Sequence, residues 1–298
     1  MSTTEANTSP SARNSRPRGK KRRRGISPWV PNQHGAWAML ISPAVLSTVA
    51  AISAMVRADD LSWHRIVAVP ALLVAWFFGY CAFFAFGLVA KARTPKRKRQ
   101  YAPPVFVYGA VSLAGIIVAL VAQPQLMWWA LFFGPLVAVA VWETLQGRAR
   151  SMLSGVSTTI ASALLVPALT MSGQDTTIGA ITPVAWGAAI FLALYFSGTI
   201  PMVKTMIRER GNAKMYWFSV IYHAVALGVV MLVVVWGQPG LVAAVLILST
   251  MVIALFRSWW LPRSVAAGRT WTAKDVGMAE IPLLLLACVG VIATIVFT

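Results

Sequence analysis

Residues 202–223 read MVKTMIRERGNAKMYWFSVIYH and gather Lys204, Arg208, Glu209, Arg210, Asn212 and Lys214 between two long apolar runs. The second run continues through residues 224–236, AVALGVVMLVVVW, without a polar side chain. It is long enough to cross the hydrocarbon of a bilayer, which takes about 20 apolar residues. Tyr216, Ser219 and His223 fall at i, i+3 and i+7, one stripe of an α-helix. At about 1.5 Å per residue, His223 lies roughly 13 Å into that helix from Lys214. A polar group at that depth is costly against lipid, so His223 is expected to face other helices or a wet cavity. A charged connection flanked by two such runs makes a helical hairpin across a membrane.

The rest of the chain has the same character. Of 298 residues, 58% are hydrophobic and only 11% charged, with a mean hydropathy of +0.71. A soluble chain of this length could not cover so much apolar surface with so few charges. The alternating pattern of a membrane β-barrel is absent. The fold class read here is all-α, a polytopic transmembrane helical bundle. The net charge of +18 would suit nucleic acid, but the cations lie in segments between apolar runs, so nucleic acid is not an expected partner. Cys81 and Cys288 each sit inside an apolar run and form no ligand set with the histidines, which argues against a structural metal or a disulfide framework.

Residues 1–28 hold eight Lys/Arg among Ser, Thr and Asn, ending in GKKRRRG. No core can form there, so this is expected to be a disordered basic cytoplasmic tail lying against anionic lipid, followed by a transmembrane domain over residues 29–298. Nine spans are expected near residues 37–56, 64–89, 104–122, 126–142, 154–171, 180–200, 215–236, 241–260 and 281–297. Counted by connection, 24 Lys/Arg then fall on one side and only Arg57 and Arg65 on the other. The positive-inside rule puts the N-terminus inside and the C-terminus outside, and the plasma membrane is the expected location. Trp63, Trp128, Trp129, Trp236, Trp259 and Trp260 mark expected span ends, as an interfacial belt would.

The polar constellations cluster on the basic side. In residues 31–38, PNQHGAWA, Asn32 suits an N-cap, and Gln33 and His34 could present a donor or base at the rim; an interfacial helix start anchored by Trp37 explains them equally well. Residues 91–104, KARTPKRKRQYAPP, crowd six cations without an acid. Lipid headgroups are the main partner expected there; a phosphorylated substrate is the sharper alternative, met by Arg99, Gln100 and Tyr101. Glu143 is read as an ion pair with Arg148 or a nearby arginine, and Ser151, Ser154, Thr158 and Ser162 as one packing face. Glu280 before Pro282 reads as an ordinary helix start, and Asp275 as solvated. No Gly-rich phosphate loop or metal-ligand spacing occurs, and no paired aspartates lie on the inside face, so no cofactor or metal is expected.

With PNQHGAWA at 31–38, RQYAPP at 99–104, TLQGRARS at 144–151, KTMIRERGN at 204–212 and the pair Tyr222–His223, the chain resembles the YwiC-like family of bacterial membrane proteins. A more distant similarity is to the UbiA-type prenyltransferases. It implies a UbiA-like bundle of nine spans whose site is capped by the cytoplasmic connections after spans two and six. UbiA-type enzymes place Asp-rich, Mg²⁺-holding motifs there, whereas this chain has Lys and Arg with Glu209 alone. The combined expectation is an anionic ligand, phosphorylated or isoprenoid-type, in a cavity open to the cytoplasmic side. Arg99, Gln100, Tyr101, Glu143, Arg148, Lys204, Arg208, Glu209, Arg210, Asn212, Tyr216, Ser219 and Gln33 would bind it, with His223 or His34 as acid/base. A transporter or lipid-flipping protein, or a non-catalytic assembly factor, stands as the alternative.

Overall fold

The computed structural model describes residues 27–31 and 34–297. The expected tail up to residue 26, together with Asn32, Gln33, the side chain of His34 and Thr298, lies outside the described residues. The chain runs through α1 (His34–Arg57), α2 (Trp63–Lys91), α3 (Pro95–Ala122), α4 (Ala130–Leu145), α5 (Met152–Ala163), α6 (Leu165–Gln174), α7 (Pro183–Ile207), α8 (Ala213–Gly237), α9 (Leu241–Ala266) and α10 (Ala273–Val296). A 3₁₀ turn over Pro124–Trp129 feeds α4, and α5 and α6 together make one span, giving nine spans among the described residues. No strand occurs among them. The protein is an all-α, multi-pass membrane protein.

Local chemistry sets the helix limits. Thr94 accepts from the Arg97 amide and Pro95 occupies the first helical position, so α3 begins nine residues before the expected 104 and takes the basic segment into its first turns. Pro103 and Pro104 withhold N–H groups from the carbonyls of Arg99 and Gln100, a loss tolerated at an exposed helix end. Thr272 and Asp275 close a capping box, which starts α10 at Ala273 rather than near residue 281. Asp275 is therefore a cap partner, and Glu280 lies two turns inside the helix instead of at its start. Between α5 and α6 the helix is interrupted at Leu164, because the Pro167 ring clashes with the carbonyl four residues back, that of Ala163. On α5 the buried hydroxyls are Ser154, Ser157, Thr159 and Ser162, while Thr158 is exposed and Ser151 caps the helix.

Small residues bring the helices together, as lipid offers no hydrophobic drive for association. A Cβ on Gly115 of α3 would stand 2.7 Å from the Ala71 carbonyl oxygen of α2, and Ser112 donates to the Ala75 carbonyl at 2.8 Å. Gly173 of α6 lies still closer to α1, where an added Cβ would meet the Ala51 carbonyl oxygen at 2.5 Å. The central span is α7, which packs against α5, α6, α8, α9 and α10 and buries Phe191, Leu192, Phe196, Met202 and Met206. Outward side chains such as Phe106, Val121, Leu232 and Leu241 are exposed, as a lipid-facing surface requires.

Candidate functional site at the basic end of the bundle

Helix ends at residues 91, 95, 145, 152, 207, 213, 266 and 273 share the basic end of the bundle. Of the residues expected to bind a ligand, Arg99, Gln100 and Arg208 are exposed there, with Tyr101 and Lys204 half-buried. Several others have structural tasks. Glu143 is buried and pairs with Arg148 at 2.7 Å, as the sequence suggested. Asn212 caps α8 through the amides of Lys214 and Met215 and donates to Glu209 at 2.9 Å. Glu209 is thus engaged by an amide, not by its arginine neighbours. Arg210 reaches the carbonyls of Met206 and Trp271 at 3.1 and 3.0 Å. Tyr216 turns towards α9, where its hydroxyl bonds the Trp259 carbonyl and Arg263. Arg263 itself stacks over the Trp259 and Tyr216 rings, an arrangement that suits a cation at an aromatic interface.

Beneath this rim lies a buried polar cluster. On α8, Ser219 is fully buried and His223 is 2% exposed. They share the inward face with Ala226 and Val230. His223 Nδ1 donates to the Ser219 carbonyl at 2.7 Å, since a carbonyl only accepts, and Nε2 points at Gly198 of α7. A Cβ on Gly198 would come within 2.9 Å of that nitrogen, so the glycine is what lets the ring lie between the two helices. The Ser219 hydroxyl has no hydrogen-bond partner.

Arg257 and Glu280 complete the cluster, on α9 and α10. Arg257 Nη1 stands 2.7 Å from Glu280 Oε2, with the two side chains 9% and 18% exposed. The contact is Coulombic rather than a directed hydrogen bond: Nε, Nη1 and Nη2 of Arg257 all lack an aligned acceptor, and Glu280 Oε1 lacks a donor. Arg257 lies within electrostatic reach of His223, and both charges lie within reach of Tyr195 on α7. Measured from their helix ends at about 1.5 Å per residue, Arg257, Glu280 and His223 are roughly 10–15 Å deep. Sequence reasoning missed this pair. Two signals could have found it: Arg257 is the only charge between Leu241 and Pro262, and Thr272 with Asp275 spells a capping box that moves Glu280 into the membrane.

The cluster is packed, not hollow. Grooves open instead at the other end of the bundle, one of about 500 Å³ against Val56, Arg57 and Phe297 and one of about 280 Å³ against Trp128 and Ile178. Among the described residues no three His, Cys, Asp or Glu side chains gather as a metal site would need.

Comparison with known proteins turns on the first half of this bundle, where the model of the YwiC-like protein family matches residues 30–170. Over these residues the chain is similar to the YwiC-like family. A Bacillus subtilis (strain 168) protein named "Uncharacterized protein YwiC" is 28% identical over 263 residues, covering 85% of this chain and 92% of the relative. A Haemophilus influenzae protein, named "Uncharacterized protein", is 27% identical over 198 residues, covering 65% of this chain and 74% of its own. No solved structure matches.

The YwiC-like match takes in α1 to α5 and the first part of α6, including the small-residue packing of α2 on α3 and the Glu143–Arg148 pair. His223, Arg257 and Glu280 lie beyond it, on the spans that pack against α7.

Proposed function

We propose that the protein sits in the plasma membrane with its basic end, and its N-terminus, in the cytoplasm and its C-terminus outside, and that this end binds an anionic ligand of phosphorylated or isoprenoid type. The observation that carries the reading is Arg257, an arginine deep in an apolar span whose guanidinium has one carboxylate oxygen beside it and no aligned acceptor. A guanidinium offers five N–H groups suited to phosphate. The exposed cations of the rim, Arg99 and Arg208 with half-buried Lys204, draw anions and anionic lipid headgroups towards it. His223, with Nδ1 fixed by a backbone carbonyl, leaves Nε2 for a ligand proton. The arrangement keeps the inner-face location of a UbiA-like site and replaces its metal by guanidinium groups, so Mg²⁺ is not part of it. Because the cluster is closed, binding requires α8, α9 and α10 to part at this end.

Mass spectrometry of lipids and metabolites that co-purify with the protein tests this first. Titration with farnesyl phosphate, farnesol and inorganic phosphate then separates chain from headgroup. Farnesyl phosphate is expected to bind, and Arg257→Gln to weaken it about 10- to 100-fold, the effect of one or two charge-assisted hydrogen bonds. Binding of farnesol as tightly as its phosphate overturns the anion. Transport is the second reading, favoured by the helix break at Leu164, since interrupted spans line substrate paths in transporters. Exchange of labelled farnesyl phosphate into proteoliposomes would select it.

A further inference from the structure

Arg257 already has a counter-charge. Glu280 lies 2.7 Å away on the neighbouring helix, and the buried set Arg257, Glu280, Tyr195, Ser219 and His223 is electrically balanced with Glu280 ionised and His223 neutral. An anion arriving at Arg257 upsets this balance. Two negative charges would then share one guanidinium in a low-dielectric span, where an uncompensated charge is strongly unfavourable.

Among the described residues no second cation stands by to absorb the excess. The helices packed against α10 are α9, α7 and α1. On α9 the next cation, Arg263, is about 9 Å further along the helix and is engaged by Trp259 and Tyr216. On α7 the ionisable group near Glu280 is Tyr195, and Lys204 lies at the rim, two and a half turns on. Between Gly35 and Val56, α1 has no ionisable side chain, and Arg57 sits at the far end on the Ile295 carbonyl. On α10 itself the half-buried Cys288 adds no positive charge. From α8, His223 lies within electrostatic reach of Arg257.

Resting on the ligand-binding reading above, we propose that Glu280 is a protonatable placeholder for the ligand. The incoming anion takes its position on Arg257, and the displaced carboxylate takes up one proton. The step balances simply. One proton from solvent joins a Glu280 carboxylate oxygen, no other bond is made or broken, and one anionic oxygen of the ligand takes the contact with Arg257 that the carboxylate held. The unpartnered Oε1 is the oxygen free to receive that proton, and the resulting acid can donate to the ligand it has admitted. Binding of the anion is therefore linked to proton uptake from the basic face.

The test uses the full chain in detergent and farnesyl phosphate as the probe, titrated by calorimetry near pH 8 in two buffers of different ionisation enthalpy. The probe's own proton change is common to all variants and cancels between them, its second pKa lying near 6. Wild type is expected to take up about one proton more than Glu280→Gln. Equal uptake by wild type and Glu280→Gln, with binding intact, overturns the placeholder and leaves the ligand reading standing. No binding of the probe to wild type removes both. Should Glu280→Gln fail to fold, the wild-type affinity between about pH 7 and 9 for a farnesyl methyl phosphodiester, which has no second ionisation of its own, decides instead. A Kd rising up to about tenfold per pH unit supports the coupling, and a Kd constant within about twofold overturns it.

Discussion

At the end of the bundle remote from the basic connections, Asp175 accepts from His64 at 3.0 Å and from Gln123 and Gln125. Gln123 and Ser172 exchange two further bonds at 2.9 and 2.6 Å, and Arg65 ties Asp60 to the Gly173 carbonyl. At the basic end, by contrast, Arg257, Glu280 and Ser219 keep five buried polar atoms without a hydrogen-bond partner. The first group uses nearly all its donors and acceptors, Arg65 Nε excepted, to lock the ends of α2, α3 and α6. It reads as a structural clasp. The second holds hydrogen-bonding capacity in reserve at the place where leaving it unused is most unfavourable. Packing alone gives no reason for that reserve, whereas a polar ligand does.

The comparison presumes which end is inside, and the largest effect tests that. A reporter fused after Thr298 should be active as alkaline phosphatase and dark as green fluorescent protein, because the cations of the described residues are concentrated at the other end. The reverse pattern would put the reserve of donors on the outer face. Next in size is the buried pair. Arg257→Leu or Glu280→Leu alone leaves a lone charge in the span and should lower stability by about 3–5 kcal/mol. The double variant should recover most of it, as followed by fluorescence-detected thermal unfolding in detergent. Single losses as small as those of an exposed pair, about 0–1 kcal/mol, would mean the site is already wet.

A smaller contrast concerns two glycines. Gly173→Val drives a Cβ against the Ala51 backbone, which cannot yield, whereas Gly198→Ala meets the edge of the His223 ring, which can rotate. Both overpack a tight helix contact, at about 1–3 kcal/mol, with Gly173 at the upper limit. Gly198→Ala should also disturb farnesyl phosphate binding through His223, and Gly173→Val should not. Thermal stability and Kd measured side by side would show whether the two ends separate in this way.

How much of this could be read from the chain follows from where the physics is local. Apolar runs report spans directly, so the bundle was legible. The inward turn of His223 followed from its stripe. The helix starts at Pro95 and Ala273 depend on caps of one or two side chains set against long polar stretches, and hydropathy smooths these over. Glu280 was misplaced for that reason. Its partner Arg257 was legible as an anomaly but not as a partner, because the contact joins α9 to α10 through a crossing that no local pattern encodes. Tyr216 shares a stripe with His223, yet it lies nearer the rim, where its hydroxyl donates to the Trp259 carbonyl and accepts from Arg263.

The smallest effect belongs to the clasp. Asp60, in the connection between α1 and α2, accepts from the Ser62 amide at 2.9 Å and stands 2.8 Å from Arg65. The amide and hydroxyl of Ser62 hold its carboxyl below the ordinary 3.8, and the Arg65 guanidinium adds to this. A carboxylate whose folded pKa is depressed stabilises the fold above the unfolded value, and that contribution disappears as pH falls through the folded one. Wild type should therefore lose thermal stability below about pH 4 more steeply than Asp60→Asn, while the two converge in slope above it. Because Asp60 is open to solvent, the difference should shrink further at high salt. A variant that tracks wild type across the acid limb would show that the α1–α2 connection contributes nothing to the clasp, leaving His64, Gln123 and Gln125 on Asp175 to hold that end closed.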